Sequence, residues 1–179
     1  MGRQMNPDAQ PVLPEGEGTG GADRFLNFLE EELKPFITDR YPVADDRGTL
    51  FGASMGGLLA TYTLLTRPRM FGGYIIASPS LWWDGELLFR MEELVDNRPE
   101  IAARVFFGVG SREEGTGVPA LDEFRLVTNT LRMAERLDKQ GPSSLQVACQ
   151  VFEGESHTSV VPVVLTRGLR SVHCRATRA

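Results

Sequence analysis

The chain has 179 residues, of which 41% are hydrophobic and 24% are charged, and its formal net charge is −5. These proportions are typical of a globular domain with a hydrophobic core of its own. Lysine and arginine are scattered without a basic stripe, which argues against nucleic acid or an anionic membrane surface as a partner. The two cysteines, Cys149 and Cys174, make no disulfide framework, and no cysteine–histidine spacing indicates a metal site. We therefore expect neither a metal nor a cofactor.

The composition divides the chain into three parts. Residues 1–20 are rich in Pro, Gly and Glu without periodicity, which predicts a flexible N-terminal arm. Residues 21–173 are predicted to form one domain, and residues 174–179 a short tail. The chain shows neither an apolar run of about 20 residues nor the layout of a signal peptide. We expect a cytoplasmic protein, or a periplasmic one if a missing N-terminal segment carries a signal.

Apolar periodicity predicts the elements in chain order. The first is a helix that starts at Ala22 and is closed by Tyr41-Pro42. It has one apolar stripe, formed by Phe25, Phe28, Leu29, Leu33, Phe36 and Ile37. Short apolar runs predict four strands, at residues 48–53, 73–77, 105–109 and 145–152. Helices are predicted after each strand, at residues 55–66, 86–97, 119–140 and 157–172. This alternation predicts the α/β class, with a parallel sheet covered by helices on both faces.

A nucleophile motif lies between the first strand and the helix that follows it. The segment Gly52-Ala53-Ser54-Met55-Gly56 matches Gly-x-Ser-x-Gly. In a nucleophile elbow the serine occupies a strained turn, and small neighbours let the helix approach the strand. Gly52, Gly56 and Gly57 would supply that space. The motif predicts Ser54 as a nucleophile and the Met55 amide as an oxyanion donor; the alternative is a glycine-rich turn with an inert serine.

A serine nucleophile needs a base, and the base needs an acid to orient it. Of the two histidines, His157 follows the fourth strand and His173 lies in the Arg-rich tail, so we expect His157 to be the base. The acid is expected after the preceding strand, where Glu113 and Glu114 are adjacent and cannot both point inward. We favour Glu113. The alternatives are Glu114, or a Ser54–His157 dyad with both glutamates in solvent.

These residues and their surroundings resemble the esterase D and trilactone siderophore esterase group of the α/β-hydrolase superfamily. Besides the elbow, the similar segments are residues 21–26, 32–37, 78–83 and 154–159. The resemblance covers about residues 20–169 and implies the roles given above for Ser54, His157 and Glu113. It also implies hydrolysis of ester bonds in enterobactin- or salmochelin-like catecholate trilactones or their iron complexes.

Three further residues are candidates for binding such a substrate. The indoles of Trp82 and Trp83 could stack on catechol rings, although either could instead pack in the core. Arg112, beside the expected acid, could meet the negative charge of a catecholate or remain in solvent.

The front of the chain departs from the family pattern. Several strands normally precede the nucleophile strand, whereas only 47 residues precede Gly48 here. We therefore expect only the C-terminal portion of the fold, with an open edge on the nucleophile strand that favours self-association. The second oxyanion donor would also be missing, which costs about 10²–10³ in rate. Two other functions remain open: a generic esterase D-type carboxylesterase or thioesterase, and an inactive fragment that acts only as an interaction unit.

Overall fold

A single four-stranded sheet organises the chain. The computed structural model describes residues 20–44, 47–94 and 101–174. All strand pairs are parallel, in the order β1-β2-β3-β4. The strands are β1 (Thr49–Ala53), β2 (Gly73–Ala77), β3 (Ala103–Gly110) and β4 (Leu145–Phe152). The predicted parallel sheet is therefore confirmed.

The register brings the carboxyl ends of the four strands together. Ala53 at the end of β1 pairs with Ala77 at the end of β2, and Ala77 pairs with Gly108 of β3. Farther along β3, Gly110 pairs with Phe152 at the end of β4. The residues that follow these strands therefore meet at one edge of the sheet, where ligands bind in folds of this type.

Helical segments precede β1, connect the strands and follow β4. They are α1 (Ala22–Asn27), a π-helical turn (Phe28–Leu33), α2 (Lys34–Thr38), α3 (Met55–Thr66), α4 (Trp83–Leu94), a 3-10 turn (Ser111–Glu113), α5 (Pro119–Asp122), α6 (Leu126–Gln140) and α7 (Val160–His173). None of the helices in the described ranges is long and apolar enough to span a membrane.

Three helix boundaries differ from the sequence prediction. The helix predicted at residues 119–140 is split into α5 and α6, because Arg125 adopts a left-handed conformation with φ of 48°. The last helix begins at Val160, so His157 lies in a turn before it. The segment assigned to α4 begins at Trp83, but Asp84, Gly85 and Glu86 are left-handed; residues 95–97 of the predicted helix lie outside the described residues.

Alternate residues of the central strands face opposite helical layers. Tyr74 and Ile76 of β2 are buried in the cluster that includes side chains of α3, α4 and α6. Ile75 and Ala77 are buried on the other face against α7. This alternation follows from the two-residue repeat of a strand. Both faces of the sheet are covered, as the sequence predicts.

The first helical segment does not bury the stripe that the sequence predicts. Leu26 is its fully buried residue, whereas Phe25 and Phe28 remain 46% and 41% exposed, and Leu33 and Phe36 are exposed as well. The π-helical turn lies in the middle of this segment. Its wider i→i+5 turn rotates the residues that follow it, such as Phe36, relative to an α-helix, so a stripe drawn with α-helical spacing is not continuous across it. Phe25 precedes this turn, and its exposure is not explained by it.

Strand β1 is an open edge in the described part of the chain. It pairs with β2 on one side only, and Phe51 in the middle of this apolar strand is 36% exposed. An unpaired apolar edge is a template for another strand.

We propose that the 179-residue chain self-associates through β1. Size-exclusion chromatography is expected to show concentration-dependent association that Phe51→Lys reduces, and a wild-type chain that stays monomeric would contradict the proposal.

Candidate active site

Ser54 occupies a strained turn between β1 and α3. Its φ is 56° and its ψ is −118°, in the positive-φ region that non-glycine residues rarely adopt. The turn is held by the backbone: the Ser54 N–H donates to Ala77 O at 2.9 Å, and Ser54 O accepts from Leu58 N at 3.0 Å and Ser80 N at 3.1 Å. Such strain persists where the surrounding structure enforces it. The geometry is the elbow that the motif predicts.

The neighbouring glycines differ in why they are needed. A Cβ on Gly52 would lie 2.0 Å from the carbonyl oxygen of Gly56, and one on Gly57 would lie 3.0 Å from Pro79 Cα. Gly52 therefore lets α3 approach β1 closely, and Gly57 lets the residues after β2 approach α3. A Cβ on Gly56 would meet nothing within 4 Å. The steric role that the sequence analysis gave to Gly56 is therefore wrong.

Gly52→Ala and Gly56→Ala are expected to have opposite effects on stability. The first places a methyl group against rigid backbone and is expected to lower the free energy of unfolding by about 3 kcal/mol or more. The second fills open space in a helix and is expected to raise it by about 0.5–1 kcal/mol. Urea denaturation of both variants measures these changes, and equal losses of stability would contradict the geometry.

Glu113 lies against His157. Its Oε2 is 2.5 Å from His157 Nδ1, and its side chain is fully buried. Its other oxygen, Oε1, accepts from Gly110 N and from Ser78 Oγ, each at 2.6 Å. Glu114 turns away, and its two oxygens accept from the N–H and the Oγ of Thr128, each at 2.7 Å. The structure brings Glu113, and not Glu114, to the histidine.

The loop with the acid and the loop with the histidine are tied together. Gly154 N donates to Ser111 Oγ at 2.9 Å, and Arg112 N donates to Glu155 O at 3.0 Å. These bonds hold the turn before His157 against the 3-10 turn that ends at Glu113. The imidazole is therefore oriented by two loops that are fastened to each other.

The hydrogen bond that His157 donates to Glu113 raises the pKa of His157 above its ordinary value of 6.5, against an opposing effect of partial burial. The other histidine, His173, is exposed at the end of α7, where its Nε2 lies 3.0 Å from Thr49 Oγ1. Thr49 is the first residue of β1, whereas Ser54 follows its last residue. His173 therefore lies at the amino ends of the strands, and Ser54 lies at their carboxyl ends. The structure keeps it away from the site, as the sequence predicts.

A raised histidine pKa fixes the sign of the expected pH dependence. The base must be neutral to accept a proton, and Glu113 stabilises the imidazolium. The acid limb of kcat/KM is therefore expected to have its midpoint above pH 6.5. In Glu113→Gln that midpoint is expected to fall, as pH–rate profiles of residual turnover would measure. A midpoint that stayed in place in the variant would contradict the assignment.

The hydroxyl of Ser54 and the imidazole of His157 have different neighbours. Ser54 Oγ lies 3.4 Å from Ser80 Oγ, which is a weak contact for two hydroxyl groups. Among the described residues, Nε2 of His157 makes no hydrogen bond. Catalytic hydrogen bonds are often long or poorly aligned in unliganded enzymes and tighten when substrate binds. Ser54 and His157 both follow strands whose carboxyl ends lie at the same edge of the sheet.

Met55 is well placed to supply an oxyanion donor. It is the first residue of α3, and the first N–H groups of a helix have no acceptor within the helix. Its side chain is 46% exposed, in keeping with a position at the open mouth of the elbow. The amide beside the nucleophile is thus available to a ligand.

The tryptophans form an aromatic group next to the elbow. The ring of Trp82 stacks on Phe124 with 4.3 Å between centroids and 16° between planes, and Trp83 meets Trp82 edge-on at 5.8 Å. Both indoles are half-buried. Trp83 N donates to Ser80 O, and Ser80 N donates to Ser54 O, so this segment is anchored to the elbow. Because Phe124 stacks on Trp82, one face of that indole is not available to a substrate. A role for the two indoles in binding substrate remains a prediction.

Arg112 is exposed beside the buried acid. Its backbone N–H serves the link between the two loops, and among the described residues its side chain makes no ion pair. A role in meeting substrate charge stays a prediction.

Ser78 and Ser80 were not among the residues predicted to form the site. Both are buried, at 0% and 3% exposure, and they contact the acid and the nucleophile respectively. Only their position could have indicated a role. They follow β2, which lies between the strands that carry Ser54 and Glu113. Without the register, a serine in that loop could not be distinguished from an ordinary turn residue.

The chain is similar to esterases that act on siderophores. Residues 3–160 match the family described as Putative esterase. The chain is 33% identical over 176 residues to the ferri-bacillibactin esterase BesA of Bacillus subtilis, covering 92% of this chain and 58% of that protein. It is 37% identical over 169 residues to the siderophore triacetylfusarinine C esterase of Aspergillus fumigatus, covering 85% of this chain and 58% of that protein.

Solved structures agree with the fold. The siderophore hydrolase EstB of Aspergillus nidulans superposes with a TM-score of 0.77 at 30% identity, covering 93% of this chain and 61% of that one. The chain thus spans about three fifths of the length of these relatives. By sequence match and by fold, the chain belongs to the Putative esterase family of the α/β-hydrolase type.

Proposed function

We propose that this chain hydrolyses carboxylic ester bonds of siderophores with Ser54 as nucleophile, His157 as base and Glu113 as acid. The observation that carries the proposal is the 2.5 Å contact between Glu113 Oε2 and His157 Nδ1 at the sheet edge where Ser54 occupies its strained turn. This is the arrangement in which an acid orients a base toward a serine.

The proposed reaction has two halves. Ser54 Oγ attacks the ester carbonyl carbon while its proton passes to His157 Nε2, and the Met55 N–H donates to the developing oxyanion. The tetrahedral intermediate collapses, the C–O bond to the leaving alcohol breaks, and His157 gives that alcohol its proton. Water then attacks the acyl-enzyme with His157 again as base. This step releases the carboxylic acid product and regenerates Ser54. Throughout, Glu113 stabilises the imidazolium that forms.

Siderophore esters are the substrate class that the names of the relatives support. We narrow this class to enterobactin- or salmochelin-like catecholate trilactones, free or bound to iron, for which the Trp82–Trp83 group offers flat apolar surface beside the elbow. Arg112 would face the negative charge of a catecholate. The iron of such a complex is part of the substrate.

A competition assay tests the substrate class. The wild-type chain is given a catecholate trilactone, its ferric complex and a simple acyl thioester, and the products are separated by chromatography. We expect a higher kcat/KM for a trilactone than for the thioester. A preference for the thioester would favour a generic esterase D-type activity instead. A chain that cleaves none of them and does not react with a fluorophosphonate probe would support the inactive interaction unit.

A further inference from the structure

Ser78 makes a contact with the acid that the triad alone does not require. It directly follows β2, is completely buried, and donates from Oγ to Glu113 Oε1 at 2.6 Å. The Gly110 N–H donates to the same oxygen at 2.6 Å, which leaves Oε2 for His157. The two carboxylate oxygens of Glu113 therefore have different partners. Oε1 accepts from the residues that fix the side chain, Ser78 and Gly110, and Oε2 accepts from His157.

The backbone at Ser78 favours glycine, yet a serine is present. Its φ is 43°, a left-handed conformation that costs a residue with a Cβ about 1–2 kcal/mol. Its N–H donates to Gly108 O at 2.8 Å, which continues the pairing of β2 with β3 past the end of the strand. Glycine would satisfy that bond without strain. What serine adds at this position is the hydroxyl group that contacts Glu113.

We propose that Ser78 is a positioning residue that fixes the orientation of the Glu113 carboxylate toward His157. With the Gly110 amide alone, the carboxylate could turn about its last side-chain bond and its contact with Nδ1 would loosen. With two donors on Oε1, the plane of the carboxylate is defined. The kinetic consequence rests on the proposed function, but the orientation of the pair can be measured without turnover.

The primary test is NMR of His157 in the wild-type chain, in Ser78→Ala and in Ser78→Gly. The chain has two histidines, so His173→Asn assigns the imidazole signals. We expect a strongly downfield Nδ1 proton in the wild type, and its loss or broadening in both variants together with a lower His157 pKa. Ser78→Gly removes the backbone strain, so it separates loss of the hydroxyl from a failure to fold. Thr130→Val is the matched control, because it removes a buried hydroxyl that bonds to Leu126 O within α6.

The opposite result overturns the proposal. If the downfield proton persists in both Ser78 variants and the His157 pKa stays or rises, the Gly110 amide alone holds the carboxylate. Where the wild type turns over an ester, kcat is expected to fall about 10- to 100-fold in both variants with little change in KM, because a hydrogen bond to a charged group is lost. A wild-type chain without turnover would count against the proposed function, while the NMR result would still decide the role of Ser78.

Discussion

Ser54→Ala is expected to remove ester hydrolysis, with a loss of turnover on the order of 10⁶ if the triad acts as a unit. The reason is chemical, because alanine has no oxygen to form the acyl-enzyme. The fold should be retained, since the turn is held by backbone bonds that alanine also makes and the lost Oγ has only the 3.4 Å contact to Ser80. Turnover of a p-nitrophenyl ester and covalent labelling by a fluorophosphonate measure the effect.

Ser144→Ala is the control for this experiment. Its hydroxyl donates to Ile101 O near the start of β4, at the sheet edge opposite the site. This variant is expected to keep both turnover and labelling. Retained turnover in Ser54→Ala at the wild-type rate would mean that another group is the nucleophile.

Glu113→Gln is expected to lower kcat by about 10⁴. The amide would keep the volume of the side chain, but it cannot stabilise an imidazolium with a negative charge, and an NH₂ group facing Nδ1 selects the wrong tautomer. Because Gly110 and Ser78 both donate to Oε1, that position requires the amide oxygen, which forces the NH₂ toward His157. The loss is therefore expected in kcat, with the fold preserved.

Glu114→Gln is the matched control, since it changes the adjacent residue in the same way. Glu114 accepts from Thr128 in the first turn of α6, where a carboxylate also interacts favourably with the helix dipole. Its removal is expected to cost about 0.3–1 kcal/mol of stability and to leave kcat nearly unchanged. Small, equal effects on kcat in both variants would favour a Ser54–His157 dyad, and a large loss confined to Glu114→Gln would reverse the assignment.

The sequence predicted the strands well because each is a short apolar run between polar or glycine-rich turns. The order of the strands also predicted that the residues after them lie at one edge, and the structure places Glu113 against His157 there. The choice between Glu113 and Glu114 could not be made from strand order, since both residues follow the same strand. The sequence could not predict that the left-handed conformation of Arg125 divides the helix at residues 119–140. Nor could it predict the π-helical turn in the first helical segment. Apolar periodicity carries no information on either backbone conformation. The role of Ser78 required the register of β2 against β3, which no local pattern contains.

The bonds between the acid loop and the histidine loop have a mechanical consequence. With Gly154 fastened to Ser111 and Arg112 fastened to Glu155, Glu113 and His157 form one rigid block carried by β3 and β4. Ser54 belongs to a second block, carried by β1 and α3. Both blocks are also bonded to the end of β2, since Ser54 N donates to Ala77 O and Ser78 Oγ donates to Glu113 Oε1. The position of Ser54 relative to His157 therefore depends on this segment as well as on the two loops. A transplant of this acid into another scaffold would have to carry the histidine loop with it.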